Sequence, residues 1–303
     1  MRPWRFLSSV AFVAAALVLS GCATNTMTGR KQLSLVSEQS VARQSLSYYS
    51  AMESDARKKQ KLIDSGPLKE RVEIITNRLI EQAVLYRPDS RDWNWQVLVI
   101  DEPKTVNAFC MPGGLMGIYI GMFEKLQATD DEVAQVMGHE IGHALAGHGA
   151  EKMSTRIAAN MAAIVIAAAI SNNTRDFNNN QQAMLVVATT FVTLPNSRET
   201  ESEADRIGIE LAARAGYNPQ AAVTLWQKMA TLDRGNTPAF MRTHPTSEAR
   251  AQDLKTLGPP MEKLHSHALA HMDEKPPFDW LKGPREQRPA VDPSQAIALY
   301  SPA

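Results

Sequence analysis

Cysteine is almost missing from this 303-residue chain, with Cys22 and Cys110 the only two. A disulfide framework is therefore excluded as the source of stability, which must come from a buried core. Excess charge is missing too. Lys and Arg number 32 and Asp and Glu 32, so the chain lacks the basic surplus of a nucleic-acid binder, and no nucleic-acid partner is expected. No apolar run reaches the roughly 20 residues that a membrane-spanning helix needs; residues 6–19, 157–170 and 183–194 all fall short. What remains is a chain with 44% hydrophobic residues and no internal repeat of 20 to 50 residues, enough for one substantial, mostly helical domain with appendages.

The most informative residues are His139, Glu140 and His143, which spell H-E-I-G-H. On a helix, positions four apart lie about 40° apart around the axis, so both imidazoles can face one metal while Glu140 sits beside them as general base. The flanking sequence supports a helix. Asp130, Asp131 and Glu132 place acid where the helix dipole favours it, and Val133, Val136, Met137, Ile141 and Leu145 have helical apolar spacing. Zinc in hydrolases takes three protein ligands and leaves a fourth position open, so a third ligand must lie elsewhere.

Two patterns can supply it. The metzincin spacing requires Gly at 146 and His at 149, and the chain has Ala146 and Gly149 there. His148, five residues past His143, is turned by about 140° on a continuing helix and is expected outside the ligand set, as a supporting or surface residue. The second pattern takes a carboxylate from another helix, in Glu201-Ser202-Glu203-Ala204-Asp205. Glu201 and Glu203 are about 200° apart, so one must be a bystander. Glu201 is preferred because it leaves Asp205 at i+4 to hold a ligand imidazole by its other ring N–H.

These residues resemble the HtpX-like and prenyl-protease-like zinc metallopeptidases (peptidase family M48), and within them the periplasmic lipoprotein branch. The resemblance extends from Thr28-Gly29-Arg30-Lys31-Gln32-Leu33 through Val106-Asn107-Ala108-Phe109 and Pro112-Gly113-Gly114 to Arg242-Thr243-His244-Pro245. It implies an α+β, mainly helical fold: a gluzincin-type metallopeptidase domain whose small β-sheet borders the active-site cleft. It also implies one Zn2+ per chain, with Glu201 as third ligand and Asp205 as its helper. A substrate backbone would pair along Asn107, Ala108, Phe109, Gly113 and Gly114. In similar proteins a histidine in the Thr-His-Pro context reaches the zinc, which makes His244 a candidate regulatory fourth ligand. The rival reading of Thr243-His244-Pro245 is a plain helix entry with Thr246 as N-cap.

The first 22 residues have a basic start in Arg2 and Arg5, an apolar run and Leu19-Ser20-Gly21-Cys22, the pattern of a lipoprotein cleavage site. The likeness to bacterial lipoproteins implies lipidation at Cys22, and Ala23 after it implies sorting to the periplasmic face of the outer membrane. The expected organisation is a signal peptide at 1–21, a lipid-anchored tether at 22–37, the metallopeptidase domain at 38–258, and a weakly structured, Pro-rich tail at 259–303. Helices are expected at 38–63, 67–86 and 247–257, and strands near 95–100, 109–110 and 117–120. The apolar segments 157–170 and 183–194, around a linker with five asparagines, read as two core helices or as a hairpin covering the cleft or touching lipid. The resemblance implies a zinc endopeptidase acting on unfolded or misfolded envelope proteins. The rival is a chaperone-like factor with a latent or structural zinc, working with outer-membrane assembly machinery. Tyr217 and Arg242 are candidate oxyanion donors.

Overall fold

The computed structural model describes residues 21–170, 195–232, 237–245, 248–271 and 278–291. Residues 1–20, most of the expected signal peptide, and 171–194, within the expected apolar hairpin, lie outside the described residues. Two strands, β1 (Cys22–Thr24) and β2 (Lys31–Leu33), pair antiparallel ahead of two long helices, α1 (Glu38–Lys58) and α2 (Pro67–Tyr86). Then come β3 (Gln96–Ile100), β4 (Ala108–Met111), β5 (Leu115–Tyr119) and a short α3 (Gly121–Glu124). The remaining helices are α4 (Asp130–Leu145), α5 (His148–Ile170), α6 (Arg198–Arg214), α7 (Ala221–Leu232), α8 (Ala239–Thr243) and α9 (Glu248–His271). The chain is thus mainly helical with small sheets, as its sequence predicts.

The three-stranded sheet has the order β3, β5, β4, with β5 parallel to β3 and antiparallel to β4. This order leaves β4 at an edge, with α4 packed beside it. α4 starts on a reciprocal cap: Thr129 Oγ1 accepts from the Glu132 N–H at 3.3 Å, and Glu132 returns the bond to the Thr129 N–H at 3.0 Å. Its far side meets α6 at a glycine contact. A Cβ added to Gly208 would lie 2.6 Å from the His139 nitrogen, and one added to Gly138 would lie 2.8 Å from the Gly208 carbonyl oxygen. Only glycine lets the two backbones approach this closely, and the approach brings α6 carboxylates against α4 imidazoles.

Residues 22–37 are not a free tether. Asn25 caps the β1–β2 turn by accepting from the Met27 and Thr28 N–H groups, and its own amide donates to the Ala146 carbonyl at 2.6 Å. The hairpin is therefore docked at the C-terminal end of α4. The tail differs from expectation in the same direction. α9 continues through Pro259 and Pro260 to His271 because Leu254 and Met261, on either side of the prolines, are buried against Ile209, Ala213 and Ala222. Proline removes helix hydrogen bonds, and here packing outweighs that loss. Further on, Trp280 is 2% exposed within the main core. Asn77 Oδ1 accepts from the Trp280 N–H at 2.7 Å, and Arg288 lies over its ring. Trp280→Ala is expected to cost about 3–5 kcal/mol, read as a lowered denaturant midpoint at unchanged slope. A shift within error would mean that the segment is only laid against the core.

Candidate metal centre

His139 and His143 point their Nε2 atoms at each other from one face of α4, 3.1 Å apart and both buried. Glu201, on the first turn of α6, places a carboxylate oxygen 3.2 Å from His143 Nε2. His244, just after α8, brings Nδ1 to 3.2 Å from His139 Nε2 and 3.0 Å from Glu201 Oε1. All four side chains are buried, and their donor atoms lie within 4.8 Å of one another. A tetrahedral zinc with bonds of about 2.0–2.1 Å has ligand–ligand edges of about 3.3 Å. The spacings of 3.0–3.2 Å, with 3.6 Å between His139 Nε2 and Glu201 Oε2, lie near those edges, and a nitrogen–oxygen set of this kind suits zinc. The residues present therefore fit the metal.

Each ligand is held from behind. Asp205 Oδ1 lies 2.9 Å from His139 Nδ1, one turn along α6 from Glu201. Arg250 closes the back of the site, reaching Asp205 through Nε at 2.7 Å and Nη2 at 2.8 Å, and Glu201 through Nη1 at 2.6 Å. It also donates to the Pro245 carbonyl at 2.7 Å and stands 4.5 Å over the Trp226 ring. Burial works to raise the Glu201 carboxyl, but bonds to His143 and His244 outweigh it and hold the group far below the usual carboxylate range. Asp205 is likewise depressed, burial being outweighed by its bonds to Arg250 and His139.

Glu140 behaves in the opposite way. Burial pushes its carboxyl up to about 8, against the opposing pull of His139 and a bond from the Cys110 N–H. It is 4% exposed, and His244 Nε2 lies 3.3 Å from its Oε1. His244 thus faces the metal position with one nitrogen and Glu140 with the other. Its ring stacks on Phe240 at 4.3 Å, and the adjoining Thr243 carbonyl accepts from the Asn196 N–H.

The cleft in front of these groups has a volume of about 140 Å³. Asn107, Ala108 and Phe109 line it from the edge strand, and Glu140, His143 and His244 from the metal side. Gly113 and Gly114 are placed in the β4–β5 turn, against Ala42 and Trp95, outside the cleft lining. Tyr217 and Arg242 also lie outside that lining, so neither is positioned as the oxyanion donor. Asn196 is there instead: its amide nitrogen is 2.7 Å from Glu201 Oε1 and 3.3 Å from His244 Nδ1, and its oxygen accepts from Lys152 at 3.0 Å. Cys22 is exposed on β1.

His148 lies outside the ligand set, as expected, in the supporting rather than the surface place, and Glu203 is the residue that helical geometry misjudged. α4 ends at Leu145, and Gly147 takes φ +64°, so His148 opens a new helix rather than extending the old one. That turn brings His148 back under His143, with Nδ1 to Nδ1 at 2.8 Å, and sets its Nε2 2.9 Å from Glu203. Glu203 stays outside the ligand set, as its angular position requires, but it is no bystander. Arg250 and Asn196 had no legible signal, since one arginine in a helix start and one asparagine ahead of a Ser N-cap look like solvated residues.

A helix bearing His-Glu-x-x-His, completed by a glutamate from a second helix, defines a gluzincin-type metal centre. The chain belongs to peptidase family M48, whose profile matches residues 67–257 and so covers the sheet, both metal-binding helices and the start of α9. Among curated proteins it is 36% identical over 161 residues to "Mitochondrial metalloendopeptidase OMA1" of Arabidopsis thaliana, covering 53% of this chain and 31% of that protein. It is 29% identical over 215 residues to the Saccharomyces cerevisiae protein of the same name, covering 67% and 59%. It is 28% identical over 152 residues to "Metalloprotease LoiP" of Escherichia coli (strain K12), covering 50% and 58%. The chain spans less than two thirds of the length of each.

Proposed function

We propose that this protein is a zinc-dependent endopeptidase of the bacterial cell envelope that hydrolyses peptide bonds in misfolded or stalled envelope proteins and is held latent by His244. The observation that carries the reading is the buried Glu140 carboxyl at the cleft floor, beside a His139, His143 and Glu201 donor set; a purely structural metal site has no use for it. Zinc, when bound, supplies Lewis-acid polarisation of the scissile carbonyl and of the attacking water. Glu140 takes the proton of that water at its carboxylate and passes it to the leaving amine. The edge strand β4 offers backbone to an extended substrate, with Asn107, Ala108 and Phe109 along the cleft. Asn196, oriented by Lys152 and donating to Glu201 Oε1, lines the cleft beside the metal position and is the candidate donor to developing negative charge.

Placement at the outer membrane through Cys22 rests on the pattern of residues 1–22 and on Ala23. Among the described residues no helix is long and apolar enough to cross a membrane. Relatives named for mitochondria share the metallopeptidase core, so the compartment is argued from the leader alone. The second reading, a chaperone-like assembly factor with a closed zinc site, is favoured by one observation: His244 brings a fourth donor to the cluster.

Casein cleavage by the purified zinc-loaded protein and by His244→Ala separates the two. The open variant is expected to cleave at least severalfold faster, and chelation to abolish cleavage in both, because a plugged fraction lowers apparent activity in proportion. Two inactive zinc-loaded proteins would favour the chaperone-like reading. Loss of activity in His244→Ala alone would make His244 a working residue rather than a plug.

A further inference from the structure

Behind His143 runs a chain of hydrogen bonds that peptide hydrolysis does not itself require. His143 Nε2 faces His139 Nε2 at 3.1 Å and Glu201 at 3.2 Å, so a metal there needs the lone pair on that atom and the ring proton on Nδ1. The partner of His143 Nδ1 is His148 Nδ1 at 2.8 Å. Two ring nitrogens in contact can share only one proton, so His148 Nδ1 must accept and its own proton must sit on Nε2. That proton points at Glu203 Oε2, 2.9 Å away. The other Glu203 oxygen accepts from Arg30 Nε at 2.9 Å, and the remaining Arg30 nitrogens fork onto Glu151 at 2.6 and 2.5 Å. Every donor and acceptor along this line is used in one direction only. His148 is 4% exposed, and the side chains of Glu203 and Glu151 are each 16% exposed.

The arrangement is asymmetric. His139 Nδ1 meets the carboxylate of Asp205 directly, and a carboxylate can only accept. His143 meets another imidazole, which could equally donate and would then push the His143 proton onto Nε2, where it would block the metal. Glu203 removes that freedom by claiming the His148 Nε2 proton, and Arg30 and Thr28 of the N-terminal hairpin hold Glu203 in place.

We propose that His148 and Glu203, secured by Arg30, are positioning residues that lock His143 in the tautomer presenting Nε2 to the metal, so that zinc affinity depends on docking of the β1–β2 hairpin. This rests on the zinc-centre reading given above. One consequence is mechanical. The β1–β2 hairpin is joined to His143 through three side chains, Arg30, Glu203 and His148, so pulling the hairpin away loosens the metal.

The test is zinc affinity by chelator competition, together with the visible spectrum of the cobalt(II)-substituted protein, for His148→Leu, His148→Gln, Glu203→Gln and Arg30→Met. Removing an outer partner of a metal-bound histidine weakens metal binding by about 10–100-fold. That loss is expected for His148→Leu, with an altered cobalt spectrum and unchanged melting of the metal-free protein. His148→Gln, which can still accept and donate, is expected to recover most of the affinity, and Arg30→Met to lose severalfold. In the zinc-loaded wild type, nitrogen-15 NMR is expected to show the His143 proton on Nδ1 and the His148 proton on Nε2. Wild-type affinity and spectrum in His148→Leu, or a His143 ring without a proton on Nδ1, would overturn the inference. If His148→Leu does not fold, Glu203→Gln and Arg30→Met decide, and wild-type affinity in both overturns it. A wild-type protein that binds no zinc at all would instead sink the metal-centre reading.

Discussion

Glu140→Gln is expected to lower peptide hydrolysis by about 10²–10⁴-fold at unchanged zinc content, the range over which a positioned general base contributes. Glutamine keeps the shape of the side chain and an oxygen for the Cys110 N–H, so the variant removes proton transfer and little else. A second signature belongs to the same substitution. In the metal-free protein burial holds the Glu140 carboxyl at about 8, above its value in the unfolded chain. A group whose folded pKa is raised contributes most stability below its unfolded pKa, and that contribution is lost as pH rises toward the folded pKa. Glu201 and Asp205, whose pKa values are depressed, have the opposite dependence, but they are present in both proteins and cancel in the comparison. Metal-stripped Glu140→Gln is therefore expected to match the wild type near pH 4 and to exceed it by about 4 kcal/mol at pH 8. Denaturant melts of both proteins at the two pH values measure this. A difference that does not change with pH would mean that Glu140 titrates alike in the folded and unfolded chains, and a fully active variant would remove it from catalysis.

Arg250→Met is expected to be strongly damaging to stability. Arg250 is 6% exposed and is in contact with both Glu201 and Asp205, themselves 1% and 6% exposed. Taking one partner from a buried charge cluster costs about 3–5 kcal/mol, because the charges left behind keep their desolvation penalty without compensation. Methionine fills similar volume over Trp226, so the loss reports charge rather than packing. Zinc brings positive charge to the same carboxylates, so the loss is expected to be larger in the metal-free than in the zinc-loaded protein. The substitution also frees the Pro245 carbonyl and with it the loop that carries His244. Melting curves with and without zinc check this. Equal loss in the two states would show that Arg250 acts through packing, and a loss below about 1 kcal/mol in both would show that the carboxylates are solvated.

The metal helix was legible because its signals are local. Four-residue spacing, an acidic first turn and apolar residues at helical intervals all lie within Asp130–Leu145, and the structure realises each of them. Glu201 and Asp205 were legible for the same reason, one turn apart on one helix. His148 lies outside the ligand set as its spacing predicts, but its bond to His143 is not legible when α4 is extended beyond Leu145; the signal for it is Gly147, a residue suited to the left-handed turn it takes. The tail was misread because proline frequency outweighs a few apolar residues in a sequence, whereas the burial of Met261 and Trp280 depends on surfaces of α6, α7 and the main core that lie far away in the chain.

The sequence by itself determined the chemistry: two imidazoles and a carboxylate at helical spacing, a second helix with carboxylates four apart, and too few cysteines for a disulfide framework or a cysteine-rich metal site. These are properties of periodic backbone, which a single helix imposes without help from the rest of the fold. Tertiary structure alone decided which atoms share the metal position. His244 reaches it from 101 positions beyond His143, Arg250 neutralises the carboxylates from a third helix, and the N-terminal hairpin reaches His143 through Glu203 and His148. Such contacts follow from packing between distant segments, where the approach of Gly138 to Gly208 sets distances that no spacing along the chain encodes.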